Sequence, residues 1–147
     1  MLGYCTEAED IGQETFIRFY QSLDRFRGDA SIGTYLVRIA INLSLNEIKR
    51  RQRRRKLFFS KSDDTIENIP DKDNPMNQRD NKKIVQMGLG RLEPKLRSVI
   101  VLRLMDGYST KETANILNLP LGTVLSRLAR AQMKLKEILT PLYRREA

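Results

Sequence analysis

The stretch from Ser109 to Leu139 constrains the fold more than any other, because it predicts two helices joined by a tight turn. Ser109 is followed three residues later by Glu112, a capping-box pattern in which hydroxyl and carboxylate each accept a free backbone amide. The short helix that follows ends near Asn118, a residue type that tolerates the left-handed conformation of a helix end. Pro120 then suits the first turn of a second helix, where a missing N–H costs nothing.

The second predicted helix has one apolar face and one cationic face. Apolar residues recur at steps of three and four, the spacing of a single helical stripe: Val124, Leu128, Ala131, Leu135 and Ile138. A hydroxyl and three cations recur at similar steps on another face: Thr123, Arg127, Arg130 and Lys134. A basic helix face is often only solvated surface. The capped helix before it, and the small Ala114 where the helices would cross, favour instead a recognition helix in the major groove of DNA.

The composition favours a polyanion as partner and argues against an enzyme. The chain of 147 residues carries a net charge of +9, which suits nucleic acid. It has no histidine and a single cysteine, Cys5, so we expect no disulfide, no metal site, no cofactor and no small-molecule substrate. No apolar run is long enough to cross a membrane. We therefore expect a cytoplasmic protein that is not an enzyme.

Two further helices are predicted in the first third of the chain. Residues 7–24 combine acids in the first turns with a broad apolar face, and the acids either complement the helix dipole or form a docking surface. The second helix runs from about Ile32 past Arg50, with an apolar stripe that begins at Ile32. It ends in seven cations within eight residues, a run that should fray without an anionic partner. Phe26, in the loop between the two helices, is either a core side chain or a stacking surface for an unpaired base.

The sequence then divides into two domains. Five acids against a single lysine, together with Pro70, predict an acidic linker over residues 57–74. On either side we predict small all-α domains, at 1–56 and 75–147. In the second domain, a nearly wholly apolar helix from Lys95 to Met105 should form the buried centre, and Pro141 should limit the last helix.

Four stretches, in this order and spacing, resemble one family of proteins. They are Ala8 to Phe16 (AEDIGQETF), Asp24 to Ser31 (DRFRGDAS), Tyr35 to Asn42 (YLVRIAIN) and Leu119 to Leu128 (LPLGTVLSRL). Together they resemble the extracytoplasmic-function (ECF) subgroup of bacterial RNA polymerase sigma factors, across almost the whole chain. The resemblance implies an all-α fold in which a partial region 2 bundle and a region 4 helix–turn–helix bundle are joined by a flexible linker.

The resemblance also implies partners and site residues. Members of this family bind core RNA polymerase, direct it to promoters and help to open the duplex. Core binding, to the clamp helices of the largest subunit, is implied for Asp10, Gln13, Glu14 and Phe16. Contact with the −10 element, where one base is flipped out at a cost of a few kcal/mol, is implied for Phe26, Arg27, Arg38 and Asn42. Contact with the −35 element is implied for Thr123, Ser126, Arg127, Arg130 and, as part of the same cationic face, Lys134. Further implied partners are the polymerase flap, double-stranded and melted promoter DNA, and an anti-sigma factor.

The sequence departs from the family pattern at several positions. The first domain is expected to lack the family's first helix. Leu125 stands where a lysine or arginine is usual, so one DNA contact should be missing. Thr113 stands where isoleucine is usual, and its hydroxyl should bond the carbonyl four residues earlier. A stand-alone helix–turn–helix regulator and a protein-binding adaptor remain as alternative functions, to be separated by polymerase binding and transcription.

Overall fold

The computed structural model describes residues 1–3, 5–58 and 78–146, with side chains left out at 78–80 and 145–146. Within these ranges the chain forms six α-helices and no strand. The helices are α1 (Thr6–Ser22), α2 (Ile32–Phe58), α3 (Gln78–Arg91), α4 (Pro94–Ile100), α5 (Thr110–Leu117) and α6 (Leu121–Glu146). A short 3₁₀ turn, Leu23–Arg25, follows α1, and a π-helical turn, Val101–Met105, continues α4. The all-α prediction is confirmed.

Helices α1 and α2 form a hairpin that makes up most of the first domain. Gly28 has a φ of +74° in the turn between them, a conformation that favours glycine. The predicted stripe on α2 was partly wrong, because Ile32 is 54% exposed and the buried residues are Ile41, Ser44 and Ile48. The buried face thus lies further along the helix, where α1 and the second domain cover it.

The basic end of α2 is helical through Phe58, so the predicted fraying of this run was wrong. Glu47 explains the order, because its carboxylate pairs with Arg50 at 2.8 Å, with Arg51 at 3.2 Å and with Arg54 at 3.9 Å. Burial raises the pKa of the Glu47 carboxyl, but the hydrogen bonds from Arg50 and Arg51 outweigh it and hold that pKa below its ordinary value. One carboxylate thus offsets part of the repulsion by pairing with three of the arginines. Of the predicted linker, residues 59–74 lie outside the described residues.

The second domain packs α3, α4 and α6 around one apolar core. Its buried members are Leu89, Leu92, Leu96, Ile100 and Ala131. At Gly88 the helices approach closely: a Cβ would lie 2.6 Å from the Cδ2 of Leu139, so a larger residue on α3 would require the Leu139 side chain to shift. The prediction that residues 95–105 form the buried centre holds for Leu96 to Leu102, whereas Leu104 and Met105 are exposed.

Two predictions about single residues in this domain were wrong. Pro141 does not end the last helix, since α6 continues through it to Glu146. The proline removes one amide from the helical ladder close to the helix end, where only one turn remains beyond it. The buried Thr113 hydroxyl finds no hydrogen-bond partner among the described residues, although the carbonyl of Ser109 accepts the backbone amide of Thr113 at 2.9 Å.

The two domains pack against each other. Ile41 of α2 forms a buried cluster with Leu102 of the π-helical turn and Ile116 of α5, at exposures of 5%, 0% and 1%. Arg97 of α4 spans the same boundary, donating to the backbone carbonyl of Met1 at 3.0 Å. The sequence did not predict how the two domains are placed relative to each other. In the structure, α2 packs against α5.

Candidate nucleic-acid and polymerase interfaces

The turn between α5 and α6 fixes the angle at which α6 leaves the domain. The predicted capping box is present: Ser109 Oγ accepts the amide of Glu112 at 3.1 Å, and a Glu112 carboxylate oxygen accepts the amide of Ser109 at 2.7 Å. The hydrogen bonds from the Ser109 amide and hydroxyl hold the pKa of the Glu112 carboxyl below its ordinary value. Asn118 takes the predicted left-handed conformation, with φ 51° and ψ 54°. This local geometry follows directly from the residues.

The contact between α5 and α6 is formed by small, buried apolar side chains. Ala114 of α5 is 7% exposed and packs with Val99 and Val124, both fully buried. The small side chain lets the two helix backbones approach, as predicted. Because α6 is held at its start by this contact and at its middle by Ala131, its opposite face remains open to solvent.

The open face of α6 carries most of the residues predicted to read DNA. Ser126, Arg130 and Lys134 are exposed, whereas Thr123 and Arg127 are half-buried along one edge. Among the described residues, no carboxylate pairs with any of these three cations. Ser126 Oγ donates to the carbonyl of Thr123 at 3.0 Å, and its oxygen can still accept a hydrogen bond. The face therefore presents hydroxyl and unpaired guanidinium groups that suit phosphates and base edges.

The residues predicted to contact the −10 element fall into two environments. Asn42 and Arg27 are exposed. Arg38 is half-buried beside the second domain. Its guanidinium donates to the carbonyl of Asn115 at 2.9 Å in a solvent-exposed bond, and its Nε is buried without a partner. Phe26 is half-buried against Tyr35, with ring centroids 5.3 Å apart and the rings inclined at 60°. The structure therefore does not gather these four side chains on one open surface.

Helix α1 presents the residues predicted to bind polymerase. Asp10, Gln13 and Phe16 are exposed, and the Phe16 ring is 65% accessible. Glu14 is half-buried and pairs with Arg18 at 2.6 Å. Acidic and aromatic groups thus share the outer side of α1, away from its buried Thr15. This combination suits a basic protein surface with apolar contacts.

Metal-binding clusters and membrane-spanning helices are absent from the part of the chain that the structure describes. No group of three or more Cys, Asp or Glu side chains there could hold a metal ion. None of its helices is long and apolar enough to span a bilayer. The Cys5 thiol accepts a hydrogen bond from Arg51 at 3.5 Å, beside the ion pairs that Arg51 makes with Glu7 and Glu47.

Comparisons with known proteins cover both domains. Residues 1–54 match the family described as sigma-70 region 2, and residues 82–135 match sigma-70 region 4. The ECF RNA polymerase sigma-E factor of Escherichia coli K12 is 36% identical, and the alignment covers 95% of this chain and 77% of that protein. The RNA polymerase sigma-H factor of Pseudomonas aeruginosa is 34% identical, with coverage of 94% and 76%.

Two solved structures share the fold. The sigma factor RpoE of Bartonella quintana, in complex with the anti-sigma factor NepR, matches with a TM-score of 0.64 and 25% identity over 89% of this chain and 79% of that chain. CnrH, in complex with the cytosolic domain of CnrY, matches with a TM-score of 0.64 and 27% identity, covering 94% of this chain and 75% of that chain. With two region matches and relatives above 30% identity, the chain belongs to the extracytoplasmic-function sigma factors of bacterial RNA polymerase.

Proposed function

We propose that this sigma factor holds core RNA polymerase with the outer side of α1 and reads promoter DNA with α6 and with one face of α2. The observation that carries the proposal is the open face of α6, where Ser126, Arg130 and Lys134 stand exposed on a helix fixed by the capping box and by Asn118. A rigid recognition helix with uncompensated cations binds a duplex at low entropic cost.

Three surfaces of the protein make these contacts: one on α1, one on α6, and one formed by α2 and the loop before it. Asp10, Gln13, Glu14 and Phe16 contact the clamp helices of the largest polymerase subunit, while the second domain also contacts the flap. Thr123, Ser126, Arg127, Arg130 and Lys134 contact the −35 element. Phe26, Arg27, Arg38 and Asn42 contact the −10 element and support the unpaired base. The protein works in the cytoplasm and contributes binding energy, while the polymerase performs the bond-forming chemistry.

The placement of Arg38 adds a conformational step. Its guanidinium donates to the Asn115 carbonyl and its Nε is buried, so separation of α2 from α5 would free the whole guanidinium for DNA. The free chain is thus closed, and binding to polymerase opens it. An anti-sigma factor that holds the domains together would keep the protein inactive. The relative RpoE, crystallised with the anti-sigma factor NepR, supports such a partner.

The test is a pull-down with core polymerase followed by run-off transcription on a genomic library. A sigma factor is retained by core polymerase and yields discrete transcripts. Binding to duplex DNA without any polymerase dependence would indicate a stand-alone regulator instead. Failure of both assays would leave a protein-binding adaptor as the remaining function.

A further inference from the structure

The exposed side of α6 that we propose to face DNA carries an apolar row that the cationic prediction did not include. Leu121 and Leu125 are exposed at 50% and 51%, and Ala129 is exposed one turn further on. These three residues follow one another at steps of four, beside the row formed by Ser126 and Arg130. None of the three belongs to the apolar clusters that hold α6 in the domain.

A single exposed leucine on a helix is ordinary and needs no explanation. Leu125 differs because of its neighbours. It lies in the first half of the helix, the part of a recognition helix that meets base edges. Ser126, the next residue, is also exposed. If α6 enters the major groove with Ser126 and Arg130 toward the bases, Leu125 enters with them.

The major groove offers one apolar group, the 5-methyl of thymine. We propose that Leu125, with Ala129 behind it, reads a thymine methyl in the −35 element and so takes part in base selection. This inference rests on the proposed function. Leu125 stands where the family has a cation, and we expected a DNA contact to be missing there. In this proposal Leu125 makes an apolar contact with DNA instead. A cation there grips phosphate or guanine, whereas leucine excludes water from a methyl group.

The size of the effect follows from the burial of one methyl group. Removing a methyl from an apolar contact weakens binding roughly fourfold. Changing thymine to deoxyuridine removes that methyl and leaves every hydrogen-bonding group in place. The coupling between Leu125 and one thymine is therefore measured by a double-mutant cycle, in which one change is made in the protein and one in the DNA.

The experiment uses the full chain with core polymerase and duplexes that this complex selects from a random library. Each thymine of the selected upstream element is then replaced singly by deoxyuridine. The wild-type complex should lose binding roughly fourfold at one or two thymines. Leu125→Ala should bind more weakly to the thymine duplex and should no longer distinguish thymine from deoxyuridine at those positions.

The control is Met133→Ala, which removes a side chain 65% exposed on the same helix, two turns further on. It should retain the wild-type deoxyuridine pattern, and circular dichroism should show both variants folded. Equal deoxyuridine sensitivity in wild type and Leu125→Ala, or its loss in Met133→Ala instead, would overturn the methyl contact and leave the sigma-factor function intact. If no duplex is enriched by the complex, both proposals fail.

Discussion

The guanidinium of Arg38 donates a 2.9 Å hydrogen bond to the backbone carbonyl of Asn115, and so ties α2 to α5 across 77 residues of sequence. The bond lies beside the buried cluster of Ile41, Leu102 and Ile116. A residue proposed to contact the −10 element is therefore held by the domain proposed to contact the −35 element. The two elements lie about 25 base pairs apart, roughly 85 Å along a duplex. Helices in direct contact cannot reach both at once.

Core polymerase should therefore separate α2 from α5. Fluorophores at Asn46→Cys and Lys111→Cys, exposed positions on these two helices, should show efficient energy transfer in the free chain, in a Cys5→Ser background. Adding core polymerase should abolish most of that transfer. A pair at Lys111→Cys and Gln132→Cys, both within the second domain, should not respond. Unchanged transfer in the first pair upon polymerase binding would contradict the opening step.

Reversing the charges of Asp10 and Glu14 should abolish binding to core polymerase. Both acids lie on α1, opposite the proposed basic partner, and Glu14→Lys also breaks the pair with Arg18. Pull-down and affinity measurement check this, with circular dichroism to verify folding. The charge-matched control is Asp106→Lys with Glu137→Lys, two exposed acids in the second domain. Equal losses in both double variants would point to net charge rather than to a site on α1.

Asn42→Ala should impair promoter opening while polymerase binding persists. The Asn42 amide is exposed, and it can hydrogen-bond to the edge of an unpaired base, offsetting part of the few kcal/mol that extrusion costs. Permanganate reactivity of melted thymines in the promoter measures opening. Asn46→Ala, one turn further along α2 and also exposed, is the matched control. If a promoter with a pre-melted bubble fails to rescue Asn42→Ala, the residue does not act in opening.

How far the sequence could predict the fold depended on the range of each interaction. The capping box and the Asn118 turn depend on neighbours within a few residues, and both were predicted. The Ala114 crossing was predicted as well, because it joins two helices that follow each other directly in sequence. The Arg38–Asn115 bond joins two helices from different domains, and no local pattern signals it. The exposure of Ile32 has the same origin, because the face of α2 that is buried depends on where α1 and the second domain pack.

The sequence predicted which kinds of residue lie on α6 better than it predicted which of them are exposed. Local spacing identified the cationic side of α6 but did not distinguish exposed Arg130 from half-buried Arg127. The exposed Leu125 was noted only as a lost contact, since an apolar residue in a basic row carries no charge signal. Glu47 was missed entirely, because one acid before seven cations shows its effect only once the side chains are placed.

Arg130→Ala and Lys134→Ala should weaken binding to the −35 element in different ways. An arginine that reads a guanine edge contributes about 1–3 kcal/mol and its loss relaxes base preference at one position. A lysine on phosphate weakens all sequences alike and lowers the slope of log affinity against log salt by about 1. Titrations at several salt concentrations distinguish the two. Lys136→Ala, exposed on the same helix, controls for charge. If all three variants behave alike, the reading face is assigned wrongly.

Thr113→Val should stabilise the protein. The Thr113 side chain is fully buried and its hydroxyl has no partner among the described residues, so valine of the same shape removes an unsatisfied polar group that costs about 1–3 kcal/mol. Thermal unfolding should show a rise of a few degrees in Tm. Thr15→Val is the matched control, because Thr15 is also buried but donates to the carbonyl of Ile11 at 2.7 Å. Losing that bond should lower stability by about 0.5–1.5 kcal/mol. The opposite signs are the prediction, and a loss of stability in both variants would mean that the Thr113 hydroxyl is satisfied in solution.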